Sequence, residues 1–346
     1  MHPRAELRAL PKAELHQHID GAVRPATAVE LAGEAGISLP DVTEARRRLV
    51  APVRCRDQAE LLTYFDLPIA LLQRTGALTR VTAELIEDLA DENVRYAELR
   101  WAPALHTRER LDLEAVVEAV ANGIAVAAAT LGARAPLVGL IVTAMRSHPP
   151  AANVRLAEVA AAFGTPVVGF DLAGPEATFP APPHAAAFRA AERGGLALTA
   201  HAGEVAGPQR IAEALDLGVR RIAHGVTAAD DPSIMALVAA RGVTLDLCPT
   251  SNVQAGIVPD LASHPLARLH RAGISVTIST DDRTVSNTTL TDELTATAEA
   301  QELTDLELAL IAVNAFRRGF APYNVLAPLV ASAERAWEAW LDRPSG

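Results

Sequence analysis

Short apolar runs of β character alternate along the chain with longer alanine- and leucine-rich stretches whose hydrophobic positions recur at helical spacing. The strand-like runs are Ala13–His16, Arg95–Trp101, Leu137–Ala144, Pro166–Asp171, Leu196–His201, Arg221–His224, Val243–Leu247 and Ile274–Thr280, eight in all. Between them lie helical patterns at Leu113–Thr130, Val154–Phe163, Pro183–Arg193, Gln209–Leu217 and Pro232–Arg241. Such alternation predicts a parallel sheet with right-handed crossovers. Eight strands, most of them ending in polar residues, favour a closed (β/α)8 TIM barrel over an open doubly wound sheet. The segment Val23–Arg80 is longer than a simple βα connection. It reads as extra helices, Ala26–Ala35 and Leu61–Leu72, inserted after strand one and expected to cover the barrel mouth. Leu303–Ala339 is helical and closes the chain.

Neither an internal repeat nor a low-complexity linker divides the 346 residues, so residues 1–346 are expected to form one domain. The net charge of −11 argues against nucleic acid or an anionic membrane as partner, because the long-range field repels phosphates. Cys55 and Cys248 are the only cysteines, which indicates no disulfide framework. No secretory leader and no bilayer-length apolar run stand out, and the expected location is the cytoplasm. Lys12 is the only lysine.

The strand ends carry the chemistry. Strand one ends His16-Gln17-His18-Ile19-Asp20-Gly21, strand four Asp171-Leu172-Ala173-Gly174, and strand five His201-Ala202-Gly203-Glu204. Strand six ends His224-Gly225, strand seven Cys248-Pro249-Thr250-Ser251-Asn252, and strand eight Thr280-Asp281-Asp282. In a barrel these ends converge on one mouth. Residues i and i+2 of a strand share a face, so His16 and His18 can both aim inward at one metal. His201 and Asp281 complete a set of three imidazoles and one carboxylate, which suits one zinc ion per chain with water filling the remaining position. Two-metal barrels often bridge their ions with a carboxylated lysine on strand four. Here that strand reads Val167-Val168-Gly169-Phe170-Asp171, and Lys12 lies at the opposite end of the barrel.

These segments, with Lys12-Ala13-Glu14-Leu15 before the first histidine, Val205 after Glu204, Ile222-Ala223 before His224 and Ser279 before Thr280, resemble the adenosine deaminase family of the amidohydrolase superfamily. They occur in the family's order, and Asn314-Ala315-Phe316 resembles its C-terminal helix. The resemblance implies a zinc-dependent hydrolase that deaminates a 6-aminopurine nucleoside, adenosine to inosine in type, with release of ammonia. It implies that His16, His18, His201 and Asp281 hold zinc, that Glu204 gives a proton to purine N1, and that His224 orients the attacking water. It also implies that Asp282 meets N7, the backbone N–H of Gly174 meets N3, and Asp20 takes a ribose hydroxyl. Protonation at N1 draws charge from the ring and makes C6 attackable, which calls for a carboxyl group kept protonated in a dry pocket.

The sequence departs from the family's usual pattern at Gln17, Pro175 and Arg283. Arg146 and Arg283, with Arg54 and Arg56 in the inserted segment, are candidates to meet an anionic substrate group. That would suit 6-aminodeoxyfutalosine, the benzoate-bearing nucleoside of an alternative menaquinone route, which is the second reading. Adenine and AMP are weaker readings: Asp20 is present for a ribose-like hydroxyl, and no loop cradles a phosphate. A lactonase or amidase of the same superfamily would need neither Glu204 nor Asp282. A secreted growth factor on the same fold is disfavoured by the lack of a leader.

Overall fold

The structure, a computed structural model, describes residues 4–109 and 111–343. Eight strands form its centre: β1 (Lys12–His18), β2 (Val94–Trp101), β3 (Leu137–Met145), β4 (Val167–Ala173), β5 (Ala197–Ala202), β6 (Arg221–His224), β7 (Thr244–Leu247) and β8 (Ser275–Ile278). They pair in chain order, each parallel to the next. The last gap is bridged just beyond β8, where Gln17 pairs with Asp281. There His18 N–H donates to the Asp281 carbonyl at 2.7 Å and Asp281 N–H to the His16 carbonyl at 2.9 Å. The fold is a (β/α)8 barrel, and its seam closes on the residues that the sequence marks for metal binding.

The crossover helices bury one stripe each, as their spacing requires. Leu113–Leu131 buries Val116, Val117, Val120 and Ala127, and Pro232–Arg241 buries Ile234 and Val238. Asp112 and Asp231 cap these two helices through the backbone N–H of Ala115 and Ser233. Against the expectation that no run of bilayer length is present, Leu113–Arg134 is long and apolar enough to span one, with mean hydropathy 1.6. Here it is the crossover from β2 to β3, packed on helix Thr75–Asp91.

Three stretches differ from expectation. The run read as one helix at Leu61–Leu72 is helix Gln58–Leu62, a 3₁₀ turn at Thr63–Phe65 and helix Asp66–Leu71. Pro68 has no N–H to continue the earlier turn, so the helix restarts. Helices Val42–Leu49 and Thr75–Asp91 were not anticipated. The closing stretch is two helices, Asp305–Arg317 and Tyr323–Leu341. Gly319 and Pro322 break it: a Cβ on Gly319 would lie 2.4 Å from the Tyr96 ring, so the backbone turns flush against that ring.

Inside the barrel, below the mouth, charges are paired. Arg221 Nε lies 2.8 Å from Asp246 Oδ2, Arg221 also pairs with Glu98, and its guanidinium stacks on Phe320 at 3.8 Å. Lys12, 1% exposed, opens β1 and donates its three hydrogens to the carbonyls of Leu7 (2.8 Å), Arg8 (3.0 Å) and Leu10 (2.8 Å). The inserted helices have a small core of their own, in which Ala51, Cys55 and Leu61 pack on Ala255 and Val285. They are pinned to the β7 and β8 loops by Ala51 N–H on the Val285 carbonyl (2.9 Å) and Cys55 N–H on the Gln254 carbonyl (2.8 Å). The sequence-based expectation that they lie over the mouth matches this seating.

Candidate active site

Four ligand-type atoms meet at the mouth. His16 Nε2 lies 3.3 Å from His18 Nε2, and His18 Nε2 lies 3.3 Å from His201 Nε2. Asp281 Oδ1 lies 3.0 Å from His16 Nε2 and 3.4 Å from His18 Nε2. A tetrahedral cation with ligands at about 2.0–2.1 Å has ligand–ligand edges of about 3.3 Å, so these spacings fit one zinc-sized ion. His224 belongs to the same cluster, since His16, His201, His224 and Asp281 can each place one ligand atom within 4.8 Å of the others. Its Nε2, however, stands farther out, 3.8 Å from Asp281 Oδ2 and 3.8 Å from Glu204 Oε2. Burial drives the pKa of His16 well below its usual value and that of His18 down to about 3, so both rings are neutral with a lone pair to offer. Two of the cluster's residues hold left-handed backbone, His224 at φ 65° and Asp281 at φ 63°. Conformations of this kind cost non-glycine residues about 1–3 kcal/mol and concentrate at functional sites.

The supporting contacts come from every neighbouring strand. Asp171 at the end of β4 sits 3.1 Å from His201 Nδ1 and is itself met by Arg100 (3.3 Å) and Thr143 (3.2 Å). This fixes Nδ1–H inward and frees Nε2 for a metal. Asp171 is thereby placed to orient His201. Ser251 donates to Asp281 Oδ2 at 2.7 Å. Glu14, below His16, accepts from Thr280 N–H and Oγ1–H and ties β1 to the strand-eight end.

The cavity beside the cluster measures about 330 Å³, which is nucleoside-sized. Leu61, Leu62, Phe65, Ile69 and Leu105 form its apolar wall, and Asp20, Glu204, Asp281 and Asp282 its acidic one. Burial, followed by the Asp281 charge, pushes Glu204 up to about 8. Burial and the neighbouring charges of Asp281, Asp20 and Glu204 push Asp282 far up as well. Asp282 Oδ1 and Asp20 Oδ1 are buried and have no hydrogen-bond partner among the described residues; His18 Nδ1 lies 4.0 Å from Asp20 Oδ1. Gly21 makes room for Asp282: a Cβ at residue 21 would lie 2.0 Å from Asp282 Oδ1. Gly174, at φ 105°, lines the same cavity.

The candidate arginines are engaged elsewhere. Arg146, 2% exposed, donates to the carbonyls of Phe179 (3.0 Å) and His201 (2.6 Å). Arg283 pairs with Glu92 and Asp88. Arg54 reaches the Pro259 carbonyl at 3.0 Å and Arg56 pairs with Glu60 at 3.0 Å. Among the described residues the cavity is lined by neither lysine nor arginine.

Two contributors escaped the sequence reading. Glu176 accepts from three successive backbone N–H groups, Gly203 (2.6 Å), Glu204 (3.1 Å) and Val205 (3.1 Å), and so holds the loop that carries Glu204. An acid two residues past Gly174, facing a glycine turn after the next strand, was the available signal. Gln58, at the start of the inserted helix Gln58–Leu62, donates to Glu204 Oε2 at 2.5 Å. No local pattern announces it.

The family model described as adenosine deaminase matches residues 11–333. The chain is 37% identical over 318 residues to an adenosine deaminase of Enterococcus faecalis, covering 91% of this chain and 94% of that protein. It is 39% identical over 333 residues to one of Mycobacterium sp. strain JLS, with 91% of each covered. The crystal structure of adenine deaminase from Arthrobacter aurescens superposes with a TM-score of 0.87 at 30% identity, covering 97% of this chain and all of the other.

Proposed function

The chain belongs to the adenosine deaminase family, and from that premise we propose that it is a zinc-dependent aminohydrolase converting adenosine to inosine and ammonia. His16, His18, His201 and Asp281 would hold the zinc, whose bound form supplies a water that ionises near pKa ~7.

The observation that carries the substrate class is the pair Glu204 and Asp282. Both are held protonated by burial, and both line one nucleoside-sized cavity. An adenine ring presents lone pairs at N1 and N7, and a neutral carboxyl group is a donor that fits each. Glu204 protonates N1, which makes C6 electrophilic. Asp282 meets N7 and fixes the ring's face. Gly174 N–H meets N3, and Asp20 Oδ1, buried without a hydrogen-bond partner among the described residues, takes a ribose hydroxyl. His224, between Glu204 and Asp281, holds the attacking water by a hydrogen bond and stabilises charge as it develops at the oxygen. A simple lactone would use neither buried acid.

The cavity lining also discriminates among purines. A benzoate or phosphate would give up its hydration in a cavity that, among the described residues, offers it no lysine or arginine, so a neutral nucleoside is favoured over 6-aminodeoxyfutalosine or AMP. Adenine stands second, because the structural neighbour from Arthrobacter aurescens is an adenine deaminase. Asp20 Oδ1, which accepts no hydrogen bond among the described residues, favours the nucleoside.

The test compares kcat/KM of the zinc-loaded enzyme for adenosine, adenine and 6-aminodeoxyfutalosine. Adenosine is expected to lead, and ammonia from none of the three would end the purine assignment. Glu204→Gln should keep its zinc and lose about 10²–10⁴-fold in kcat. Near-normal turnover by that variant would refute the proton-donor role.

A further inference from the structure

We propose that His264 is a positioning residue for the deamination: acting through Asn252, it fixes which nitrogen of His224 carries the hydrogen, so that His224 presents an N–H to the reaction centre. The inference rests on the reading of His224 as the group that holds the attacking water.

The argument starts from a backbone amide, which cannot change its polarity. Leu266 N–H donates to His264 Nδ1 at 3.2 Å. A nitrogen that accepts carries no hydrogen, so in the neutral ring the hydrogen sits on Nε2. That Nε2 lies 3.1 Å from Asn252 Oδ1, which makes this oxygen the acceptor and Asn252 Nδ2 the donor. Asn252 Nδ2 lies 3.1 Å from His224 Nδ1. His224 Nδ1 must therefore accept, and its hydrogen belongs on Nε2. All three side chains are buried, at 3%, 0% and 1% exposure, so water offers no competing partner. One peptide N–H thus sets the direction of three linked hydrogen bonds.

The consequence falls on the metal cluster. An Nε2 that carries hydrogen cannot coordinate a cation, but it can donate to an oxygen. This separates His224 from His16, His18 and His201, although all four rings crowd together. The 3.8 Å between His224 Nε2 and Asp281 Oδ2 leaves this N–H free to donate to an oxygen at the reaction centre. If Asn252 were turned over, its oxygen would face His224 Nδ1 and draw the hydrogen there, leaving a bare lone pair where a donor is needed.

The relay is tested on zinc-loaded protein labelled with 15N-histidine, because ring nitrogen shifts report the tautomer directly. His224 in the parent should show hydrogen on Nε2. In His264→Leu, Asn252 is free to turn and the hydrogen of His224 should move to Nδ1. Its kcat for adenosine should fall about 10- to 1,000-fold, in the manner of other catalytic histidines held in the wrong tautomer. KM should stay within about twofold, since substrate contacts are untouched, and bound zinc should be unchanged. His264→Gln, which restores an N–H donor to Asn252, should recover both the tautomer and kcat. Asn252→Asp offers only acceptors and should force hydrogen onto Nδ1 whether or not His264→Leu folds. Unchanged His224 shifts in the Leu and Asp variants would overturn the relay. A changed tautomer with full kcat would uphold the relay and overturn the task assigned to His224.

Discussion

Asp282 occupies the space that a side chain on residue 21 would need, so a methyl group there tests the purine contact without replacing any ionisable residue. Gly21→Ala should displace Asp282 and raise KM for adenosine about tenfold or more, the cost of one charge-assisted or buried hydrogen bond, while zinc content stays unchanged. Steady-state kinetics with metal analysis decides it, and an unaltered KM would place N7 recognition elsewhere. Asp171 is the matching case on the metal side. Asp171→Asn loses the negative charge and one of the two oxygens that face His201 Nδ1–H, and zinc affinity measured by chelator competition should drop about 10–100-fold. The residues that gather at the mouth were legible because each stands at a strand end, where the sequence shows polar groups breaking an apolar run. Glu176, Gln58 and His264 were harder to read, because each stands on a loop or a short helix away from the strand ends and is defined by the partners it meets in the fold. The arginines misled for the same reason: nothing in Arg146 or Arg283 announces the carbonyls of Phe179 and His201, or the acids Glu92 and Asp88, that take up their charge.

At the scale of elements, strands were easier to read than the helices between and around them. Parallel strands buried on both faces are continuous apolar runs bounded by turn residues, so all eight could be located with ends shifted by a residue or two. The lid was harder, because its helices are short, capped by Asp41 and Asp57, and restarted at Pro68, leaving too few turns for a period to show. Helix Leu290–Ala300 supplies a titratable link to the loop after β7. Glu293 accepts from Thr250 N–H at 3.2 Å and Thr288 Oγ1–H at 2.9 Å, and burial raises its pKa from 4.5 to about 7. Between those values the folded chain binds a proton that the unfolded chain releases, so this group's contribution to stability falls as pH rises from 4.5 to 7 and is level above that. Glu293→Gln removes the titration and keeps a hydrogen-bonding side chain. The stability difference between variant and parent, measured by denaturant unfolding, should grow in the variant's favour across that window. A difference independent of pH would contradict the raised pKa.

For the whole molecule, the barrel closes where its chemistry is. The hydrogen bonds that seal β1 against the strand-eight end run from Asp281 N–H to the His16 carbonyl and from His18 N–H to the Asp281 carbonyl, so closing the seam also sets the spacing of three proposed ligands. An ion bound there would pull on the seam from both sides, and removal of zinc should lower the melting temperature as well as abolish activity. Calorimetry before and after chelation measures this; an identical melting temperature would mean that the seam holds without the ion. At the other end of the barrel, the only lysine lies locked beneath β1 with all its hydrogens taken. The folded protein thus offers amine-selective acylating reagents no accessible side-chain amine. A mass increment on Lys12 should appear only in molecules whose barrel floor has opened, which turns one residue into a built-in chemical clock for unfolding.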